Sequence, residues 1–252
     1  MKFLPSTLLL LLILLPLYGR SQQSVQDSSV SMGLLEVTYR GGIPGGDWGD
    51  RFGFMSSLGI QTGYKLHRNY YISAGLQILF GDAVTESDIL DPILDSSGLL
   101  IGNEGILTEY RINAAGLLVP LTIGKVIPIF PSHNPNSGIY IELGGQYLRH
   151  RVGFEAYDDD VVQITGEYKK GYDRLTAGFG VRQSVGYTYF DNRGYVNLSI
   201  GVDFSQTFTR GQRSIQFDTG EPYNDSFVDL LSGIRFSWTY PIYNRAPQTY
   251  YY

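Results

Sequence analysis

The sequence predicts an all-β protein, an eight-stranded antiparallel up-and-down transmembrane β-barrel. Three observations carry this prediction. Apolar residues recur at every second position in eight segments, the links between these segments alternate between long and short, and the composition is rich in glycine and tyrosine. Of 252 residues, 31 are glycine, 20 are tyrosine and only 17% are charged, where about 25% is usual for a soluble domain.

The composition also excludes several classes of protein. A disordered chain would need more charge and fewer aromatic residues. A nucleic-acid-binding protein is not expected, because a formal net charge of −5 repels phosphate. The absence of cysteine excludes disulfide scaffolds and thiol chemistry. The glycine-rich run Gly41–Gly46 lacks the Lys-Ser/Thr pair of a phosphate-binding loop, and we expect no cofactor.

The first 21 residues have the layout of a secretory signal peptide. Lys2 gives a basic start, an apolar run covers 8–15, and the small residues Gly19 and Ser21 close the segment. The apolar run is too short for a transmembrane anchor, which needs about 20 residues. We therefore divide the chain into a signal peptide (1–21), a polar leader (22–30), a barrel (31–243) and a tyrosine-rich periplasmic tail (244–252).

Eight segments of the mature chain place apolar residues on one face and small or polar residues on the other. No segment after the signal peptide is long and apolar enough for a transmembrane helix. In the fourth segment the apolar phase changes after Pro120, and we expect a β-bulge there. The predicted strands are 33–40, 54–64, 70–80, 106–118 with its continuation to 123, 139–147, 175–189, 196–204 and 228–242.

The composition of the polar face indicates which way the apolar face points. A soluble barrel such as a lipocalin would bury the apolar face and expose the polar one to water. A water-facing surface should be about 25 to 35% charged, but this face is mostly Gly, Ser, Thr, Asn and Gln. We therefore expect the apolar face to contact outer-membrane lipid, with a soluble lipocalin-like binder as the alternative.

The lengths of the links predict the orientation of the barrel. Outer-membrane barrels have short periplasmic turns and long external loops. The order found here predicts a protein of the cell outer membrane with its N- and C-termini in the periplasm. The apolar residues of the second long link predict that it caps the barrel mouth, or else contacts a partner. The long links are 41–51, 81–105, 155–173 and 209–226, and the short or proline-rich ones are 65–69, 126–137 and 191–194.

Two short segments are similar to the small outer-membrane β-barrel proteins of Bacteroidetes, the PorT-like and PorG-like group. They are the apolar-Pro-apolar strand Leu118–Lys125 and the following Ile141–Gly145, and the leader ending in Ser21-Gln22-Gln23 suits the group as well. Val119 stands where that group often has an acidic residue. The resemblance implies a barrel and a role as an accessory subunit of a type IX-like protein secretion machine. It implies no catalytic residue in this chain.

Nine charged residues fall on the polar face and are predicted to form a charge network in the barrel lumen. An eight-stranded interior is just wide enough for side chains to fill, and unpaired buried charge is costly, so opposite charges should pair. The alternative is an acid/base site built from paired carboxylates. The predicted network is Glu36, Arg40, Glu109, Arg111, Glu142, Arg182, Asp203, Asp229 and Arg235.

Candidates for catalysis and metal binding are few. A lipid-modifying barrel enzyme would need a nucleophile with a histidine and an acid. His67 and His133 fall in turns, and His150 faces the predicted lumen without an evident serine partner. The run 158–160 is three aspartates, but it lacks the ligand spacing of a dedicated Ca²⁺ loop. We predict no catalytic residue and no metal ligand, and the enzyme stays as an alternative.

Two segments on the predicted periplasmic side suggest a docking surface for another envelope protein. The link 126–137 contains three prolines, which favour an extended conformation, and the tail ends in tyrosines, which suit interfaces. The alternative is that the turn packs on the barrel rim and the tail lies along the membrane interface. The predicted docking residues are Pro128, Phe130, Pro131, Tyr250, Tyr251 and Tyr252. The sequence thus predicts a non-catalytic structural or interaction component of the cell envelope.

Overall fold

The computed structural model describes residues 29–130, 134–157, 160–191 and 196–243. Several sequence predictions concern residues outside these ranges. They are the signal peptide, the leader up to residue 28, Pro131, His133, Asp158, Asp159 and the tail with Tyr250, Tyr251 and Tyr252.

Eight antiparallel strands close into a barrel in which each strand pairs with its sequence neighbour and the last pairs with the first. The eight-stranded up-and-down fold predicted from the sequence is confirmed. A two-stranded hairpin lies outside the barrel. The strands are β1 (Met32–Gly46), β2 (Met55–Lys65), β3 (Tyr70–Gly81), β4 (Leu100–Ile101) and β5 (Leu107–Thr108) of the hairpin, β6 (Tyr110–Ile127), β7 (Gly138–Ala156), β8 (Thr176–Phe190), β9 (Asn197–Gly211) and β10 (Ser226–Tyr243).

The alternation of residue types along each strand separates the inside of the barrel from the outside, because successive side chains of a strand point to opposite faces. In β9, Asp203 and Thr207 are fully buried, whereas Val202 and Phe204 are 41% and 48% exposed. The other barrel strands follow the same rule over most of their length. The apolar face therefore points outward, and the lipocalin arrangement, which buries it, is wrong.

The outward apolar surface is a belt with aromatic residues at both edges. Eleven residues of β9, from Leu198 to Phe208, cross it in ten residue steps. At about 3.3 Å per residue and a tilt of about 40°, this segment rises about 25 Å along the barrel axis. That is the height of the apolar band of outer-membrane barrels. The exposed aromatic residues at one edge are Tyr64, Tyr70, Tyr189, Trp238 and Tyr240, and those at the other are Phe54, Phe80, Phe179 and Phe208.

The links define two different ends of the barrel. The turn end carries the N-terminal residues and the short links 66–69, 128–137 and 191–196. The loop end carries the long links 47–54, 82–109, 157–175 and 212–225. The order of the links is as predicted, although the proline-rich link 128–137 is longer than the link 47–54. No helix of the described residues is long and apolar enough to cross a membrane.

Pro120 does not cause a bulge, contrary to the sequence prediction. β6 pairs with β7 in one uninterrupted register from Tyr110↔Ala156 to Ile127↔Ile139. Even-numbered residues of β6 point inward along the whole strand, so Tyr110, Ile112 and Leu118 lie inside the barrel although they are apolar. They do so because the lumen at the loop end is itself apolar.

That apolar lumen exists because the long links fold back over the barrel mouth. Trp48, in the short helix α1 (Asp47–Arg51), is buried, as are Ile89 and Leu90 in the 3-10 helix Ser87–Ile93. They pack in one cluster with Leu118 and Leu148 of the barrel wall. The expectation that the second long link caps the mouth is met, and we call this layer the loop cap.

Candidate functional site

The middle of the lumen is filled by a buried ion-pair triad. Arg182 of β8 donates from Nε to Oδ2 of Asp203 on β9 at 3.0 Å, and from Nη2 to the same oxygen at 2.5 Å. Nη2 of Arg40 on β1 lies 3.2 Å from the other carboxylate oxygen. All three side chains are at most 1% exposed. Three strands are thus joined across a lumen that the side chains fill.

A second ion pair lies toward the turn end. Nη1 of Arg235 is 2.6 Å from Oε2 of Glu142, and the Arg235 guanidinium lies 4.9 Å from the centre of the Tyr140 ring. These groups, with Glu36 and Tyr71, line a cavity of about 30 Å³. A space of that size holds one or two water molecules and no larger ligand.

Lys65 closes the turn end, a role that the sequence analysis missed. Its Nζ donates to Oδ1 of Asn136 at 2.7 Å and to the carbonyl oxygen of Val30 at 3.1 Å. The N–H of Val30 donates to the same Asn136 oxygen at 3.1 Å. The N-terminal residues are therefore fastened across the turn end. The sequence does contain a sign that Lys65 points inward. It lies four residues after the inward residue Gln61, and residues an even number of positions apart in a strand lie on the same face.

A buried histidine cluster lies directly under the loop cap. Nε2 of His150 is 2.9 Å from Oδ2 of Asp229 and 2.8 Å from Oγ1 of Thr176. Thr209 donates to the same Asp229 oxygen at 2.6 Å, and the imidazole stacks on Trp48 with ring centroids 4.8 Å apart. The sequence placed His150 in the lumen but could not find its partners, because they lie 26 and 79 residues away along the chain.

The geometry of this cluster differs from that of a nucleophilic triad. In a triad, the hydroxyl and the carboxylate contact opposite nitrogens of the imidazole ring. Here the Thr176 hydroxyl lies 3.2 Å from Nδ1 but closer, at 2.8 Å, to Nε2, the nitrogen that Asp229 contacts. His150, Asp229 and Thr176 are also at most 2% exposed. The cluster is arranged to fasten the loop cap to the barrel wall.

Two members of the predicted lumenal network lie outside the barrel, so their assignment was wrong. Glu109 is exposed in the link before β6, and Arg111 is exposed and pairs with Asp82 on the outer surface. We placed these odd-numbered residues inside because we expected the whole interior to be polar. In the structure the even-numbered apolar residues Tyr110 and Ile112 point inward instead. The other members, Glu36, Arg40, Glu142, Arg182, Asp203, Asp229 and Arg235, point into the lumen.

The lumen is balanced in charge once Lys65 is included. Within its described part, four acidic residues accompany four basic ones: Glu36, Glu142, Asp203 and Asp229 with Arg40, Lys65, Arg182 and Arg235. Because burying a net charge is far more costly than burying pairs, this equality is what a closed interior requires. No group of His, Cys, Asp and Glu in the described ranges could hold a metal ion.

An ion-pair chain above the lumen takes one residue from each of the four long links. Nε of Arg51 lies 3.2 Å from Glu86, which also accepts from Arg174 at 2.7 Å. Arg174 in turn donates to Asp218 at 2.6 Å. Burial disfavours the charged guanidinium, but Glu86 and Asp218 outweigh this effect and raise the pKa of Arg174. The four links are thereby held together as one cap.

The docking residues predicted at the turn end fall partly within the described ranges. Pro128 and Phe130 are exposed in the link between β6 and β7, together with Ile129. They follow Ile127, the last residue of β6, and continue the apolar surface beyond the strand.

No family model matches the chain, and no curated protein sequence is similar to it. Solved structures of similar shape include the attachment invasion locus protein Ail of Yersinia pestis, at 8% identity over 82% of this chain and 99% of that one, with a TM-score of 0.38. The outer membrane protein OprG from Pseudomonas aeruginosa matches at 12% identity over 86% and 99%, with a TM-score of 0.38.

The outer membrane protein AlkL, solved in DMPC lipid bilayers, matches at 11% identity over 90% of this chain and 97% of that one, with a TM-score of 0.39. Likenesses of this size do not identify a relative, and the resemblance to the PorT-like and PorG-like group stays a prediction.

Proposed function

We propose that the chain is a non-catalytic β-barrel of the outer membrane that acts as a structural or interaction component of the cell envelope. The observation that carries the proposal is the combination of an apolar belt of about 25 Å with a lumen closed at both ends. The belt suits lipid, and the closed lumen leaves the loop cap and the turn end as the surfaces available for interaction.

The arrangement of the links supports an orientation with the turn end in the periplasm. Long links are external and short turns periplasmic in outer-membrane barrels, and the N-terminal residues from 29 onward lie at the turn end. The two ends also differ in charge. At the loop end the exposed acidic residues described, such as Asp88 and Asp91, outnumber the exposed basic ones, such as Arg149 and Lys170, whereas Arg68 and Lys125 are exposed near the turn end.

Conductance measurement tests the closed lumen. The protein should require detergent for solubility, because its outer surface is an apolar belt, and after insertion into a planar bilayer it should show no stable open-channel current. A reproducible conductance of porin size would contradict the packed lumen. Solubility as a monomer without detergent would contradict the membrane assignment itself.

A lipid-modifying enzyme remains the alternative from another class. Such an enzyme would use His150, the one histidine of the barrel interior among the described residues. That side chain is buried, and the Thr176 hydroxyl lies closest to Nε2, the same nitrogen that Asp229 contacts. If His150→Ala abolished a lipid hydrolase or acyltransferase activity of the folded barrel, the non-catalytic proposal would fail.

A second candidate function is docking of an envelope protein at the turn end, as an accessory subunit of a secretion machine would require. The observation that favours it is the exposure of Ile129 and Phe130, which are 42% and 51% exposed beyond the last residue of β6. Replacing Phe130 by Ser and deleting 248–252 should leave the barrel assembled but remove proteins that co-purify from native membranes. An unchanged set of partners would rule out docking at these segments.

A further inference from the structure

The outer surface near the turn end contains an apolar groove with a basic residue at its edge nearest that end. The groove follows the seam between β3 and β6, where Ile72 pairs with Ile123 and Tyr70 pairs with Lys125. Its volume is about 600 Å³. The neighbouring strands form its two sides, with Tyr64 and Leu66 on β2 and the following turn, and Ile141 and Leu143 on β7.

Lys125 is the one charged residue among the side chains that line this groove. Its Nζ donates to the Tyr70 hydroxyl at 3.1 Å and lies 4.5 Å from the centre of the Tyr70 ring. The ammonium group is thereby held at the level of the aromatic edge of the belt that lies at the turn end. The hydrocarbon of a membrane gives way to headgroups at such an edge. Lys125 is exposed and no acidic side chain pairs with it among the described residues.

A second basic residue stands next to the groove. Arg68 is exposed in the turn 66–69, which directly follows the groove residues Tyr64 and Leu66 and precedes Tyr70. One exposed cation thus lines the groove and a second lies in the turn that joins two of its strands, in a chain whose net charge is −5. This combination is complementary to a molecule with a hydrocarbon chain and an anionic head.

We propose that this groove binds an anionic phospholipid, with an acyl chain along the β3–β6 seam and the phosphate at Lys125 and Arg68. The inference deepens the proposed function, since it requires the belt to lie in a membrane. The apolar lining takes the acyl chain by burial. The ammonium and the guanidinium bind phosphate oxygens through charge-assisted hydrogen bonds, and Tyr70 keeps the ammonium at the headgroup level.

Native mass spectrometry of the full mature barrel, released from detergent micelles, tests the site. The barrel is titrated with phosphatidylglycerol or with phosphatidylcholine carrying the same acyl chains. The wild-type barrel should retain phosphatidylglycerol about tenfold more tightly, which corresponds to about 1.4 kcal/mol. The double change Lys125→Gln and Arg68→Gln should abolish this preference, while retention of phosphatidylcholine stays the same.

Two further variants distinguish the contribution of the basic residues from that of the apolar groove. Arg149→Gln makes the same change of charge on an outward residue of β7 near the loop end, and should leave the preference intact. Ile123→Trp places a large ring in the groove and should weaken retention of both lipids. Equal retention of the two lipids by the wild-type barrel, or the same loss in Arg149→Gln as in the double variant, would overturn the site.

The outcome for the site is distinguishable from the outcome for the proposed function. A barrel that fails to insert into vesicles of either lipid contradicts the membrane assignment. A barrel that inserts normally but shows no preference for the anionic lipid contradicts the phospholipid site alone.

Discussion

The imidazole of His150, on the barrel wall, stacks on the indole of Trp48, in the link between β1 and β2, with ring centroids 4.8 Å apart. Trp48 is 1% exposed and also packs in the cluster that contains Ile89 and Leu90 of the second long link. This contact therefore joins the loop cap to the wall at the point where the polar lumen becomes apolar.

Replacing Trp48 by Ala should loosen the loop cap while the barrel stays closed. Loss of a buried Trp side chain costs about 3 to 5 kcal/mol, and the loss should be local because the barrel hydrogen bonds do not depend on it. Hydrogen exchange should show faster exchange in 82–109 and unchanged protection in β8 and β9. Faster exchange across all strands would show that the cap and the barrel unfold together.

Removing the carboxylate of Asp203 should destabilise the barrel strongly. Asp203→Leu leaves Arg40 and Arg182 buried without a counter-charge, and breaking a buried pair in this way costs about 3 to 5 kcal/mol. The free energy of unfolding in lipid vesicles, measured by urea titration, checks this. Ser205→Ala, two residues along the same inward face, should cost much less. Equal losses would mean that the ion-pair triad does not carry this stability.

The cost of an outward charge should depend on its height in the belt. Val202 of β9 lies midway between the two aromatic edges of the belt. Leu198, on the same strand, pairs with Trp238 and Tyr189 at one of these edges. Val202→Arg should cost about 2 to 4 kcal/mol of folding free energy in vesicles and Leu198→Arg about 0 to 1. Similar costs for both variants would contradict the position of the membrane.

Changing a glutamine to leucine should have opposite effects on the two faces of the barrel wall. Gln183 of β8 is exposed in the middle of the belt, between Leu143 and Phe204 of the neighbouring strands. Its side-chain amide forms no hydrogen bond with any described residue. Gln183→Leu should therefore raise the free energy of unfolding in vesicles by about 1 to 2 kcal/mol, because an amide without a partner is costly in hydrocarbon.

The matched control for Gln183 is Gln146 of β7, which is buried in the lumen. Its Nε2 donates to Oγ1 of Thr207 at 2.7 Å. Gln146→Leu should lower the free energy of unfolding by about 1 to 3 kcal/mol, because it leaves the Thr207 hydroxyl with one partner fewer. If both variants changed the stability in the same direction, the assignment of inside and outside would be wrong.

The sequence alone determined the number of strands, their order and the direction of most side chains. These features are local, because side chains alternate along a strand and link lengths set the up-and-down order. The alternation in β9 and β10 is nearly free of exceptions, so Val202, Asp203 and Ile234 could be assigned to a face from their neighbours alone.

The tertiary structure decided the features that depend on residues far apart in the chain. Tyr110 and Ile112 point inward because the loop cap makes that end of the lumen apolar, and this cap is assembled from several links. Lys65 is buried because the N-terminal residues and Asn136 close over it, and His150 finds its partner on β10. Period two shows that a side chain lies on one of two faces, but only closure of the barrel and folding of the cap decide what that face contacts.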